Sequence, residues 1–323
     1  ARLRCEARSG GGVKVLVGDP AVWTPQPGGV AVSVGVFDGV HLGHRQMLQA
    51  LVEDAADLGD LPFGAITFDR HPLATIAPDK APPLITTPEE RLALFEEAGL
   101  GFAAVLAFDE TMRSLPAEGF VETVLANGLG ARLVVVGEGF RFGLDAAGDV
   151  DELRRLGDHF GFAVRGVELL ETATGPISST LIRRTVLEGD VEAAAGLMGR
   201  PFSRTGRVVA GDHRGSEIGF PTANLEIRPG LLVPARGVYA VVAIVDGDRL
   251  PAVVNIGIRP TFNGSREVVE AHLLDYSGDL YGSDLTLEFV DRLRGEIRFD
   301  SIEGLVEQIG RDVELARKRL HQA

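Results

Sequence analysis

The stretch GVAVSVGVFDGVHLGH, Gly29 to His44, decides how the first half of this 323-residue chain is read. Its opening is rich in β-branched residues and predicts a central strand over Val30 to Phe37. Gly35 and Gly39 then bracket a tight turn. From Leu42 to Leu58 the apolar residues Met47, Leu48, Leu51, Val52, Ala55 and Leu58 recur at helical spacing. His41 and His44 therefore fall at a helix start, where unpaired backbone N–H groups and the positive end of the helix dipole favour an anion. Their i, i+3 spacing aims both imidazoles the same way, as a grip on one polyphosphate requires. An isolated HxGH is read more plainly as a capping histidine beside a solvent-facing one. The strand and the FDG turn in front of it favour the phosphate grip.

Outward from this stretch the chain keeps alternating. Phe63 to Phe68, Phe102 to Phe108, Leu133 to Gly137 and Phe162 to Val167 read as strands, separated by helical patterns over Pro88 to Ala98, Pro116 to Asn127 and Asp149 to Phe160. That spacing predicts crossover-linked parallel strands in a doubly wound α/β domain, with ligands at the carboxyl ends of the strands. Two common phosphate binders are missing. No GxGxxG follows the first strand, and the three lysines, Lys14, Lys80 and Lys318, lie outside any GxxxxGK[ST] loop. Phosphate must then be held by backbone N–H groups, histidine, arginine or a metal.

Composition bounds the rest. A chain of 323 residues exceeds what one core commonly supports, so two domains are expected. With 32 basic against 46 acidic residues the net charge is −14, which argues against nucleic acid as a partner and for local anion sites. The single cysteine, Cys5, excludes an internal disulfide framework and fits a reducing compartment. No apolar run approaches the roughly 18 residues of a membrane span, and ARLRCEARSGGG lacks the apolar core of a signal peptide. The expectation is a cytoplasmic protein with a short disordered start, small-molecule substrates and no membrane partner; a homo-oligomer is compatible with it.

At the end of the first half, ISSTLIRR (Ile177 to Arg184) opens a helical stretch through Glu188. A serine there is commonly only a cap, but two hydroxyls, a helix start and Arg183 together make an anion cradle. The second half changes character. After a helical linker, Leu187 to Met198, short alternating strands are expected over Arg204 to Ala210, Gly237 to Val245, Arg249 to Ile256, Glu267 to Leu274 and Leu285 to Val290. With no crossover helix between them they predict an antiparallel barrel, and Ser301 to Leu320 an amphipathic helix packed on it. GFPTANL, Gly219 to Leu225, follows the glycine-bearing loop GDHRGSE. The Thr222 hydroxyl and Asn224 amide give two neutral oxygens for a hard cation, enough to hold Mg-ATP through its phosphates, although Pro-Thr turns are ordinary. Glu270 shares a strand face with Val268, His272 and Leu274, and a strand glutamate is more commonly a solvated outer-face residue.

GVFDGVHLGH, TFDRHP (Thr67 to Pro72), VVVGEGFRFG (Val134 to Gly143) and ISSTLIRR resemble the adenylyltransferase module of the prokaryotic bifunctional riboflavin kinase/FAD synthetase family. PTAN, NIGIRPTFNG (Asn255 to Gly264), VEAHLLD (Val269 to Asp275) and LYG (Leu280 to Gly282) resemble its kinase module, in the same order. The resemblance runs from Val13 onward. It implies a Rossmann-like nucleotidyltransferase domain over 13–186 and a β-barrel riboflavin kinase domain over 187–323. It also implies two activities: riboflavin and ATP giving FMN, then FMN and ATP giving FAD and pyrophosphate, both with Mg²⁺. His41, His44, Ser179, Thr180 and Arg183 would handle ATP, with Gly35, Phe37, Asp38 and Gly39 of the turn. Gly219 and Pro221 would contact nucleotide in the barrel, Thr222 and Asn224 would hold the metal, and Glu270 would be the general base. Asp69 and His71 are further candidates for flavin or ATP. Two positions depart from the pattern: Gly139, where relatives carry Asn or Asp, and Ser216, where they carry a basic residue that Arg214 can replace. Gly139 motivates a rival, an active kinase with a degenerate or reassigned nucleotidyltransferase. A non-catalytic flavin-binding regulatory protein is the other.

Overall fold

The computed structural model describes residues 12–173, 175–211, 215, 218–261 and 264–321. The first eleven residues, with Cys5, and both Arg214 and Ser216 lie outside the described residues. The chain parts into two compact units between Ser179 and Thr180, and each is described by itself.

The first unit runs β1 (Lys14–Val17), β2 (Val30–Val34), α1 (Leu42–Asp57), β3 (Phe63–Phe68), α2 (Leu73–Ile76), α3 (Pro88–Glu97) and β4 (Phe102–Leu106). It continues with α4 (Glu110–Ser114), α5 (Ala117–Phe120), β5 (Ala131–Gly137), α6 (Val150–Phe160), β6 (Ala163–Val167) and a small hairpin, β7 (Glu171–Thr172) with β8 (Gly175–Pro176). Six parallel strands lie in the order β1-β4-β3-β2-β5-β6. Strand β2 is buried throughout because both of its faces are covered. Val30, Val32 and Val34 pack with Phe120, Leu125 and Leu153, and Ala31 belongs to the opposite core with Leu48, Leu51 and Phe95. From β2 the chain winds outward through β3 and β4, then returns to the other side of β2 with β5. The β2/β5 boundary is thus the switch point where an open α/β sheet leaves a crevice.

The predicted first strand is too long. It ends at Val34, and Phe37 turns back with φ 53°. The helix expected from Pro116 begins as α5 and continues as a π-helical segment, Val121–Leu129, stopped by Gly130 in the left-handed region.

The second unit follows with α7 (Ser179–Glu188), whose first residue closes the unit before it, and α8 (Val191–Met198). The linker over 187–198 is therefore not one helix. Gly189 (φ 85°) ends the first, and Asp190 caps the second by accepting from Ala193 N. Strands β9 (Phe202–Val209), β10 (Ala223–Ile227), β11 (Gly237–Val245), β12 (Asp248–Thr261), β13 (Gly264–Leu273) and β14 (Asp284–Arg294) close an antiparallel barrel in the order β10-β13-β12-β11-β14-β9. Tyr239, Phe202 and Phe289 meet edge to face or tilted within it, at 5.4 and 5.9 Å. Asp246-Gly247, both with positive φ, make the two-residue turn between β11 and β12. Helix α9 (Ile302–Leu320), capped by Ser301, packs on the outside, where Ala316 meets Val238, Ala240, Val253 and Leu274.

Candidate active sites

In the first unit the site grows from the turn after β2. His41 caps α1, its Nδ1 accepting from His44 N at 3.3 Å, which leaves the proton of a neutral ring on Nε2. The two imidazoles stack with centroids 3.6 Å apart and planes 17° off parallel. One anion can therefore meet both rings, and its charge relieves any repulsion between them. Phe37 is fully buried and wedges its ring edge-on against His44 and Phe95. Asp38 is also buried. Its carboxylate accepts from Ile85 N, Thr86 N and the Thr86 hydroxyl, so it clamps the neighbouring loop to the turn. Gly39 (φ 88°) lies so close to Ile85 that a Cβ would sit 3.0 Å from its side chain. Gly35 donates its N–H to Ile66 O.

Phe37 (φ 53°) and Val40 (φ 36°) are non-glycine residues in the left-handed region, and Val40 is β-branched. Such strain, about 1–3 kcal/mol at each position, persists only where the surroundings over-determine it. Behind the turn stands Arg91 of α3, 1% exposed, donating from Nη1 to the Thr67 hydroxyl at 2.8 Å and to Phe68 O at 3.0 Å. Burial pushes its guanidinium below the usual value, with the Asp38 and Glu89 charges opposing.

Of the second phosphate signature, Ser179 donates to the Asp38 carbonyl at 2.8 Å, which ties it to the turn. Thr180 is exposed and Arg183 buried in α7, in the other unit. Asp69 and His71 are engaged locally. Burial raises the Asp69 carboxyl, but hydrogen bonds from Arg70 and Phe108 N outweigh it and hold it below its ordinary value. His71 Nδ1 accepts from Leu73 N. At Gly139 a Cβ would meet nothing within 4 Å, so the backbone there has open space for a side chain.

In the second unit one row crosses the outer face of the barrel: Asn224 of β10, Glu270 of β13, Asn255 of β12, Val238 of β11 and Arg294 of β14 are successive register partners. All five line a cavity of about 460 Å³ with Phe220, Ile258, Phe299 and Ile309 on its apolar walls. Glu270 is half-buried there and not on a solvated face, because α9 and the segment before it cover this side. Arg294 closes the row. It pairs with Asp312 through three hydrogen bonds of 2.7–3.1 Å, and Gln308 donates to the same carboxylate. A second cavity, about 350 Å³, is lined by Pro221, Thr222, Ala223, Tyr276 and Tyr281. Thr222 lines both.

The loops are drawn tight around these oxygens. A Cβ on Gly211 would fall 2.1 Å from Asn224 Nδ2. His272 Nδ1 lies 2.8 Å from Pro221 O and its ring meets Phe220 edge-on, fixing the turn that follows the exposed Gly219. Among the described residues no group of three or more His, Cys, Asp or Glu could hold a metal. The neutral oxygens of Thr222 and Asn224 beside one carboxylate suit a hard cation that takes its other ligands from substrate phosphates. Sequence reading missed Asn255, Arg294 and Arg91. The signal for Asn255 was its place opening NIGIRPTFNG, and the other two had none.

Comparison with known proteins follows the same division. Residues 24–181 match the FAD synthetase family and residues 198–320 the riboflavin kinase family. Bifunctional riboflavin kinase/FMN adenylyltransferases from Escherichia coli (strain K12) and Pseudomonas fluorescens are each 39% identical, over 91% of this chain and 93% and 94% of theirs. A crystal structure described as a macrolide-efflux protein from Streptococcus pneumoniae is 31% identical, with a TM-score of 0.85 over 94% of this chain and 98% of that one. Among the described residues no helix is long and apolar enough to cross a membrane. With both domains matched in order and relatives aligned along nine-tenths of its length, the chain belongs to the bifunctional riboflavin kinase/FMN adenylyltransferase family.

Proposed function

We propose that this protein makes FAD from riboflavin in two steps, the first in the barrel domain, 187–323, and the second in the α/β domain, 13–186. The observation that carries the kinase assignment is the row Asn224–Glu270–Asn255 along one cavity, which meets a second cavity at Thr222. A general base must face the hydroxyl it deprotonates. Riboflavin therefore takes the cavity that Glu270 lines, its ring system against Phe220, Ile258 and Phe299, and ATP takes the cavity of Pro221, Tyr276 and Tyr281. Thr222 and Asn224 hold Mg²⁺, which when bound neutralises charge on the ATP phosphates. Glu270 takes the proton of the ribityl 5′-hydroxyl as that oxygen bonds to the γ-phosphorus and the bond to the β-phosphate oxygen breaks, giving FMN and ADP. Asn255, beside Glu270 on β12, orients the carboxylate from the side opposite Asn224.

In the α/β domain the FMN phosphate attacks the α-phosphorus of a second ATP. The Pα–O–Pβ bond breaks and pyrophosphate leaves. His41 and His44 donate to the phosphate oxygens, and the α1 N-terminus adds its dipole. Ser179 acts on the same nucleotide, and the family resemblance assigns Thr180 and Arg183 to ATP handling, Arg183 as fixed charge. Gly35, Phe37, Asp38 and Gly39 contribute through backbone and turn shape, since the Asp38 carboxylate is committed to Ile85 and Thr86. Both steps work by positioning and charge neutralisation. ATP as a substrate of both steps supports a cytoplasmic enzyme.

The test is purified protein with riboflavin and Mg-ATP, products separated by chromatography. FAD is expected. FMN alone would overturn the assignment of the first domain, and no product would overturn both.

A further inference from the structure

Arg91 lies 1% exposed and stands in none of the motifs that point to nucleotide binding. Helix α3 brings it to the carboxyl end of β3 through a full capping box, Thr87 with Glu90. Its Nη1 donates to Thr67 Oγ1, and Thr67 Oγ1 donates in turn to Val36 O at 3.0 Å. Val36 immediately precedes Phe37, the first of the two left-handed residues of the FDG turn. A second path to the same turn is electrostatic: the charge of the buried Asp38 carboxylate acts on the Arg91 guanidinium and favours its charged form. That carboxylate accepts from Ile85 N and Thr86 N, and the Thr86 hydroxyl accepts from Gly39 N at 2.9 Å. One guanidinium therefore reaches both sides of the turn, Val36 through Thr67 and Gly39 through Asp38 and Thr86.

A buried cation is a costly way to fill a core, since its charge must be compensated and every donor should be satisfied. Here Nε and Nη2 are buried without a hydrogen-bond partner. An apolar residue would pack this position without that cost, so the arginine serves something other than core stability. The strained turn beside it needs what the arginine supplies.

We infer that Arg91 is a positioning residue for adenylyl transfer, locking the Phe37–His41 turn so that the stacked histidines meet the ATP phosphates in register. The inference rests on the adenylyltransferase reading of this domain. A shift of about 1 Å at a reacting centre costs about 100-fold. It acts on the transition state, so kcat should carry the loss and KM should not.

The experiment measures FAD formation from supplied FMN, and FMN formation from riboflavin, on the same full-length protein. Arg91→Met should lower kcat for FAD about 30- to 100-fold, with KM for FMN and ATP within about threefold and FMN formation unchanged. Arg91→Lys keeps a charge opposite Asp38 and one donor, and should recover about tenfold of the loss. Thr67→Val breaks the relay with little change in volume. It should lower kcat on its own and add nothing to Arg91→Met, because both act along one path. FAD formation within twofold of wild type in both Arg91→Met and Thr67→Val would overturn the inference alone. An equal loss in Arg91→Lys and Arg91→Met, or a loss carried by KM, would also overturn it in favour of a purely structural role. If Arg91→Met does not fold, Thr67→Val and Arg91→Lys decide the matter by the same criteria. Wild-type protein forming no FAD would overturn the domain's assignment, which keeps that failure distinct.

Discussion

Gly211→Ala tests the kinase site through one methyl group. The added Cβ would lie 2.1 Å from Asn224 Nδ2, 2.6 Å from its Cγ and 3.0 Å from its Oδ1. Ordinary contact begins at 3.4 Å, so the amide must retreat by about 1.3 Å. The backbone of Asn224 is held, because β10 is paired on both sides, with Glu270 of β13 and Val209 of β9. The side chain must therefore rotate away from the row or the loop must lift, and either removes one of the two neutral oxygens offered to the metal. A misplacement of about 1 Å costs on the order of 100-fold in rate, about 2.7 kcal/mol of transition-state stabilisation. The assay is initial-rate FMN formation at varied Mg²⁺ and ATP, alongside FAD formation from supplied FMN. The expected result is about a 100-fold fall in kcat/KM for FMN formation, partly recovered at high Mg²⁺, and unchanged FAD formation. FMN formation within threefold of wild type would refute the placement of Asn224 at the metal.

Two further outcomes concern stability. Asp312→Ala leaves Arg294 facing the cavity rim without its carboxylate and should cost about 3 kcal/mol by denaturant unfolding, while Arg294→Met with Asp312→Leu should recover most of it; equal loss in the double variant would contradict the ion-pair argument. Tyr239 is buried in the barrel and its phenol is pushed up to about 12 by burial, against which Arg292 works. An unfolded tyrosine ionises near pH 10, so its contribution is intact below pH 10 and lost as pH rises from about 10 to 12, amounting to roughly 2 kcal/mol after allowance for screening. Tyr239→Phe should flatten that limb of the stability–pH curve, and an unchanged slope would contradict the assignment.

The alternation of strand and helix in the first half was readable because β2 through β6 are apolar runs between helical patterns, and the barrel was readable from alternating strands without crossovers. Apart from the two-residue strands of the β7/β8 hairpin, two strands were not. Lys14–Val17 is four residues long at the sheet edge, half-exposed, and too short to show a period. Ala223–Ile227 was hidden behind Pro221 and reads as part of a turn. Only its pairing with β13 and β9, residues far away in sequence, makes it a strand. The same distinction runs through the sites. The face shared by Val268, Glu270 and His272 follows from a period of two, but that α9 covers that face is a tertiary fact. Asp38 looked like a ligand because it stands in a phosphate-binding turn. Its partners, Ile85 and Thr86, lie 47 and 48 residues on, and no local pattern announces them. Arg91 is hidden for the same reason, one arginine among the charged residues of an amphipathic helix until the fold buries it.

The central claim is that two separate sites divide the two reactions. Glu270→Gln keeps the size and hydrogen-bonding reach of the side chain and removes the base, so it should lower FMN formation by about 10²–10⁴-fold. FAD formation from supplied FMN should stay within twofold of wild type. His41→Ala combined with His44→Ala should do the reverse, abolishing FAD formation and sparing FMN formation. Loss of both activities in either variant, or FMN formation by Glu270→Gln at the wild-type rate, would contradict the account.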